Sequence, residues 1–195
     1  MDKKYMATSN SNILSILRQA HEAGLANLKV LQALIDELDA GQVVSVREKL
    51  LEVLPFFEEE LPVHFRQEEE VLYPALREFL AGPGPILVDG VAPDLCSLLF
   101  CDDLCQRLGP LEMYLRDHQI LNEYFGDLSS IARQSAQTTG SDEEWARQAM
   151  QAIVNVVWQL GSHIAKENEA VLPKAEEVLS PNVLLILGRA AEQLS

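Results

Sequence analysis

Two stretches of this chain repeat one pattern, and it restricts the fold more than anything else in the sequence. His64-Phe65-Arg66-Gln67-Glu68-Glu69-Glu70-Val71-Leu72-Tyr73-Pro74 and His163-Ile164-Ala165-Lys166-Glu167-Asn168-Glu169-Ala170-Val171-Leu172-Pro173 share a histidine, glutamates at +4 and +6, an apolar run and a proline at +10. Residues four apart on a helix lie about 40° apart around the axis and roughly 6 Å along it, so each histidine and its +4 glutamate face one spot. Alone, either pair is commonplace on a helix surface. As a repeat, the pattern predicts a chain built from two related halves. His21 precedes His64 by 43 residues and His118 precedes His163 by 45, with offsets between halves of 97 and 99.

Helical periodicity fills in the rest. From Asn12 the residues Ile13, Leu17, Ala20, Gly24, Leu28, Leu31, Leu34 and Leu38 keep a 3/4 spacing, and Gly41 ends the helix as a C-terminal cap. His21 lies on or beside that stripe. A second helix is expected from Ser45 to Leu80, where Pro55 and Pro62 should kink or locally widen it; a distortion at Pro62 would help aim His64, or Pro62 simply separates two shorter helices. Ala81-Gly82-Pro83-Gly84-Pro85 is a break, and Pro93-Asp94 is suited to cap a short helix running to Leu108. Gly109-Pro110 opens a third helix to about Gln137. Ser141-Asp142-Glu143-Glu144 is a capping box for the fourth, and Ser180-Pro181 starts a short closing helix through Leu194. No stretch alternates as a strand.

The fold class read from this order is all-α: an antiparallel up-down four-helix bundle with a short helical insertion between helices 2 and 3. It is expected as a single domain over 1–195, with a core over 12–179, an insertion at 81–108 and a C-terminal helix at 181–194. The apolar stretch of that last helix, Val183 to Leu187, either finishes the core or forms a homodimer patch. A net charge of −15 argues against nucleic acid or an anionic membrane as partner. No stretch approaches the roughly 18–20 apolar residues of a membrane span. The N-terminus lacks an apolar signal core, and Cys96, Cys101 and Cys105 have neither disulfide-framework nor zinc-finger spacing. A cytoplasmic location is the expectation.

All four histidines of the chain fall near the middle or inner face of the four long helices. A single histidine on an apolar face is more often a hydrogen-bonded core residue than a ligand. Four of four, with two carboxylates at +4, point to a metal site, because imidazoles and ionised carboxylates are costly to bury unless they coordinate something. Four imidazoles and two bridging carboxylates are too many for one tetrahedral zinc and too nitrogen-rich for calcium or magnesium. They suit two ions of iron, ahead of manganese or zinc, with room for an oxo or hydroxo bridge and an exogenous ligand.

These motifs resemble those of the hemerythrin-like family with its HHE cation-binding domain, a four-helix bundle of myohemerythrin type holding a non-haem di-iron centre. The resemblance runs from about Ile13 to Leu179, with 86–108 as an insertion. It implies that His21 and His64 hold one iron, that His118 and His163 hold the other, and that Glu68 and Glu167 bridge them. The oxygen-carrying members place a histidine four residues after the third-helix one, where this chain has Asn122. They also use an aspartate at +5 as the last bridge, where this chain has Glu167 at +4 and Asn168 at +5. Those departures argue against simple reversible oxygen carriage.

Among the other carboxylates, Glu69 and Glu22 are placed to reach the site edge, and Glu123, at +5 from His118, is a candidate extra ligand. Glu70 and Glu169 should face solvent. Tyr73, Tyr114 and Tyr124 are read as core aromatics that also suit shaping the site. Two classes of function follow. The first is a di-iron module that binds dioxygen, nitric oxide or iron, or that serves stress protection and iron handling. The second is a di-iron oxidoreductase that reduces peroxide or nitric oxide or oxidises ferrous iron. A metal-free structural helical protein is the third reading.

Overall fold

The computed structural model describes residues 11–81, 111–134 and 141–194, and every element among them is helical. The expected insertion with its three cysteines lies outside the described residues. The elements are α1 (Ile13–Asp39), α2 (Val43–Pro55), α3 (Leu61–Gln67), α4 (Tyr73–Ala81), α5 (Glu112–Ala132), α6 (Asp142–Lys166), α7 (Leu172–Val178) and α8 (Pro181–Glu192).

α1 begins where Asn12 Oδ1 accepts the Ser15 N–H at 2.9 Å. It ends where Gly41, at φ +77°, lets Gly41 N–H reach Leu38 O and Gln42 N–H reach Glu37 O, both at 2.9 Å. That paired closure needs a left-handed residue, which glycine supplies without a Cβ clash. Ser141 and Ser180 cap α6 and α8 through the backbone N–H groups of Glu144 and Val183. α5 runs to Ala132, where Arg133 N–H bonds to Ser129 O and Gln134 N–H to Ile131 O, and the expected end near Gln137 lies outside the described residues. After Ala132 the sequence offers Arg133-Gln134 and nothing large and apolar to bury, so burial ceases to support the helix.

Between α2 and α3, α3 and α4, and α6 and α7 the chain stays helical but passes through a widened π turn, Phe56–Glu60, Glu68–Leu72 and Glu167–Val171. Each is closed by an i→i+5 bond: Leu61 N–H to Phe56 O, Tyr73 N–H to Glu68 O and Leu172 N–H to Glu167 O. The next residue is a proline every time, Pro62, Pro74 and Pro173. A proline ring collides with the carbonyl four residues earlier, and widening the turn moves that carbonyl away. The expected distortion at Pro62 is therefore real, and the two repeat motifs carry the same device at Pro74 and Pro173.

α1 packs along α6 and against α2 and α3; α5 packs along α6 and against α2; α8 lies across α1. The result is a helical bundle whose apolar interior forms two clusters. One contains Leu28, Leu31, Phe57, Phe65, Leu121, Phe125, Trp145 and Ile164. The other contains Leu17, Leu72, Tyr73, Tyr114, Val171, Leu172 and Leu184. Leu184 and Ala191 of α8 join the second cluster, so this helix completes the core while Ile186 remains exposed. A Cβ on Gly188 would lie 2.2 Å from Ser11 O, so only glycine allows that crossing. Among the described residues, no helix is long and apolar enough to cross a membrane.

Candidate metal centre

Between the two apolar clusters lies a polar layer. Four of its groups stand between residues of opposite clusters along the chain: His21 between Leu17 and Leu28, His118 between Tyr114 and Leu121, Glu68 between Phe65 and Leu72, Glu167 between Ile164 and Val171. His21, His64, His118, His163, Glu68 and Glu167 are all buried, the two glutamates at 0 % exposure.

The six side chains converge on two neighbouring points. His21, His64, Glu68 and Glu167 offer ligand atoms that lie within 4.8 Å of one another, as do Glu68, His118, His163 and Glu167. Glu68 faces both: its Oε1 is 3.3 Å from His64 Nε2 and 3.7 Å from His21 Nε2, and its Oε2 is 3.3 Å from His118 Nε2. Glu167 reaches both through one atom, with Oε2 3.1 Å from His21 Nε2 and 3.2 Å from His163 Nε2. His118 Nε2 and His163 Nε2 stand 3.1 Å apart.

These contacts leave atoms unsatisfied. Among the described residues, His21 Nε2, His64 Nδ1 and Nε2, His163 Nδ1, both oxygens of Glu68 and Glu167 Oε2 are buried without a hydrogen-bond partner. Polar groups this deep are ordinarily paired, and each orphan costs about 1–3 kcal/mol. A set of inward-facing imidazole nitrogens and carboxylate oxygens with nothing to bond fits divalent cations of the first transition row.

Behind the inner atoms a second ring of side chains steadies the imidazoles. His21 Nδ1 pairs with Asn168 Oδ1 at 2.9 Å, and His118 Nδ1 with Glu69 Oε1 at 2.7 Å. His163 Nδ1 is 3.7 Å from Asp117 Oδ2, which also accepts from Lys166 Nζ at 2.8 Å. The Tyr73 hydroxyl donates to Glu167 Oε1. Burial and the nearby carboxylates push the Tyr73 phenol well above its ordinary range, so it stays a donor.

Charge follows the same geometry. Burial lowers imidazole pKa values and prevails at His64, which falls to about 4. At His21 burial is outweighed by Glu167 and Glu68, which raise it to about 10; at His118 it is outweighed by Glu68 and Glu69, which raise it to about 9. Burial works against ionisation of Glu68, but the His64, His118 and His21 rings around it hold its carboxyl well below the usual range. A cation entering the layer at neutral pH must displace the protons on His21 and His118.

The expected flanking carboxylates sort cleanly. Glu69 reaches the edge of the site, though as a partner to His118 rather than among the inner atoms. Glu22 and Glu123 are exposed and join neither set. Glu70 pairs with Arg66 at 2.9 Å, and Glu169 faces solvent. Tyr114 lies in the second cluster and Tyr124 packs against the first. Asp117 and the Asn168 contact were not foreseen. The only sequence signal for Asp117 is its place directly before His118, one helical step of about 100° off the inner face.

The sequence model of the hemerythrin HHE cation binding domain matches residues 12–88. The likeness covers under half of the chain. The matched stretch carries His21, His64 and Glu68, whereas His118, His163 and Glu167 lie beyond the match and meet those residues through the fold. No curated protein and no solved structure matches the chain.

Proposed function

We propose that the chain is a single-domain non-haem di-iron protein, an antiparallel up-down bundle that binds a small ligand such as dioxygen, nitric oxide or peroxide. His21 and His64 would hold one iron, His118 and His163 the other, with Glu68 and Glu167 shared. The observation that carries this reading is the convergence of buried, unpartnered Nε2 and carboxylate atoms on two adjacent points. Two histidines and two shared carboxylates for each ion leave coordination positions for the ligand. Bound iron would supply reversible ligand binding and one-electron chemistry.

The chain's own residues do the rest. Asn168 and Glu69 fix the orientation of the His21 and His118 rings from outside, which preserves ligand geometry and basicity. Tyr73 holds a proton at Glu167 Oε1 and confines that carboxylate to its other oxygen. The apolar clusters on either side exclude bulk water.

An oxidoreductase acting on peroxide or nitric oxide is the second reading, favoured by the buried Tyr73 hydroxyl beside the inner carboxylate, a hydrogen-bond donor next to the reacting position. Metal content by mass spectrometry, with an absorption spectrum of the same sample, tests the centre itself. Near two irons per chain with near-ultraviolet bands that bleach on reduction is the expected result. Zinc alone, or no metal after anaerobic ferrous loading, would overturn it. Repeated consumption of peroxide or nitric oxide then marks the oxidoreductase, and stoichiometric reversible binding the binding protein.

A further inference from the structure

Two buried phenols flank the polar layer, and they differ in what their hydroxyls meet. Tyr73 donates to Glu167 Oε1. Tyr114, one helical turn before His118 on α5, is 0 % exposed, and its hydroxyl has no hydrogen-bond partner among the described residues. Its ring packs in the second apolar cluster, with its centroid 6.0 Å from that of His163 and 6.2 Å from that of Tyr73. A buried tyrosine hydroxyl ordinarily finds a partner, and a phenylalanine would fill the same space without stranding a donor. Burial, together with Glu167, Asp117 and Glu68, holds this phenol well above its ordinary range, so the group stays a donor.

Both phenols stand beside the second pair of imidazoles. Tyr73 stacks on His118 at 6.1 Å, and Tyr114 meets His163 in a T-shaped contact. With the halves offset by 97 and 99, Leu17 matches Tyr114 and Leu172 matches Tyr73. The corresponding places therefore carry leucines. One turn after His118, Asn122 is exposed and lines an outer groove with Phe57, Pro62 and Gly126. Of the two residues one turn from His118, only Tyr114 faces inward.

Resting on the di-iron reading, we propose that the metal position framed by His118 and His163 takes a small anion with an acceptor atom at its outer end, the class that includes nitrite and azide, and that the Tyr114 hydroxyl donates a hydrogen bond to that atom. Two histidines and two shared carboxylates leave a coordination place open there. Two divalent cations outweigh the two inner carboxylates, so the loaded layer attracts an anion. A hydrogen bond to a charged acceptor is about twice as strong as one between neutral groups, so the stranded donor favours an anion over a neutral gas. Leu17, at the matching place, offers the first position no such donor.

The test loads the protein anaerobically with two equivalents of ferrous iron, oxidises it in air and titrates it with azide, reading the azide-to-iron absorption band. Tyr114→Phe is expected to retain both irons and to bind azide about 10–100-fold more weakly, the loss of one hydrogen bond to a charged group. In the metal-free protein the same change should leave the thermal midpoint unchanged or raise it, because the hydroxyl gives up no protein partner. Leu17→Met, a volume-conserving change at the matching place, should leave azide affinity as it was. Tyr114→Leu serves if Tyr114→Phe fails to fold. Absence of azide binding, equal affinity with and without the hydroxyl, an equal loss in Leu17→Met, or a lowered midpoint of metal-free Tyr114→Phe overturns the proposal. So does a visible phenolate-to-iron band that Tyr114→Phe removes, which would make Tyr114 a metal ligand rather than a donor to the anion. Each of these results leaves the di-iron reading standing. Failure of the unaltered protein to hold two irons overturns that reading instead.

Discussion

The two glutamate-bearing rods, residues 43–81 and 142–178, share their site-forming end and differ before it. Each carries a π turn beginning at the inward glutamate and followed by a proline, Glu68 with Pro74 and Glu167 with Pro173. The first rod has a second widened turn, Phe56–Glu60, before Pro62. In the second, Gly161 stands where the first has Pro62, and α6 runs unbroken over 25 residues. What both retain belongs to the centre; what only one has belongs to its surroundings. The extra turn places Glu58 against Ser129 of α5 and Arg133 just past its end, at 2.6 Å from each. The second rod has Val157 at the matching place and no such anchor.

Several substitutions set the two rods against each other. The largest effect is expected for Glu68→Ala, because Glu68 serves both points with separate oxygens, whereas Glu167 has one oxygen engaged by Tyr73. It should abolish retention of both ions and destabilise the loaded protein by about 3–5 kcal/mol, the cost of stripping a partner from buried charges. Iron per chain and chemical denaturation are the measurements; two irons retained would remove the distinction between the bridges.

Tyr73→Phe comes next. It leaves Glu167 Oε1 buried without its donor, a cost of about 1–3 kcal/mol. The second rod has Leu172 at the position matching Tyr73, so Leu172→Phe changes packing but removes no donor. Denaturation curves of the two variants, with an absorption spectrum sensitive to Glu167, separate the effects.

Pro74→Ala is expected to weaken iron retention more than Pro62→Ala, with a stability loss on the order of 1 kcal/mol from added freedom in the unfolded chain. Equal iron content in both variants would show that the turn at Glu68 needs no proline to persist.

The smallest effect concerns the anchor. Arg133 and Ser129 hold the Glu58 carboxyl down at about 2. A depressed carboxylate stabilises the fold above its unfolded value of about 4, and that contribution is lost as pH falls through the window from there to about 2. Glu58→Gln should therefore flatten the acid side of the stability profile without changing iron content, as a pH series of thermal melts would reveal.

Much of the centre was legible in the sequence because His-to-Glu spacing within a helix survives folding unchanged. His64 with Glu68 and His163 with Glu167 need only their own helices to face one way. The outer ring was not legible, since Asn168 meets His21 across 147 positions and Asp117 meets His163 from another helix. Glu123 shows the converse: its spacing from His118 made it a candidate and left the question open, and its helix turns it to solvent. The π turns were half visible. Pro62 announced a distortion, while Pro74 and Pro173 passed as the ends of a motif, although each sets a turn in which residues five apart, such as Glu68 and Tyr73, share the inner face.

The division of the interior by its polar layer has a consequence for how the molecule comes apart. Two apolar clusters separated by a band of buried charge are joined chiefly by backbone and by whatever occupies the band. With cations in place the band becomes a set of bonds linking α1, α3, α5 and α6, and opening either cluster must break them. Without cations each cluster is free to open at its own free energy. Amide exchange should then resolve two cooperative units in the metal-free protein, one around Trp145 and Phe125 and one around Tyr114 and Leu172, which merge into a single unit on loading.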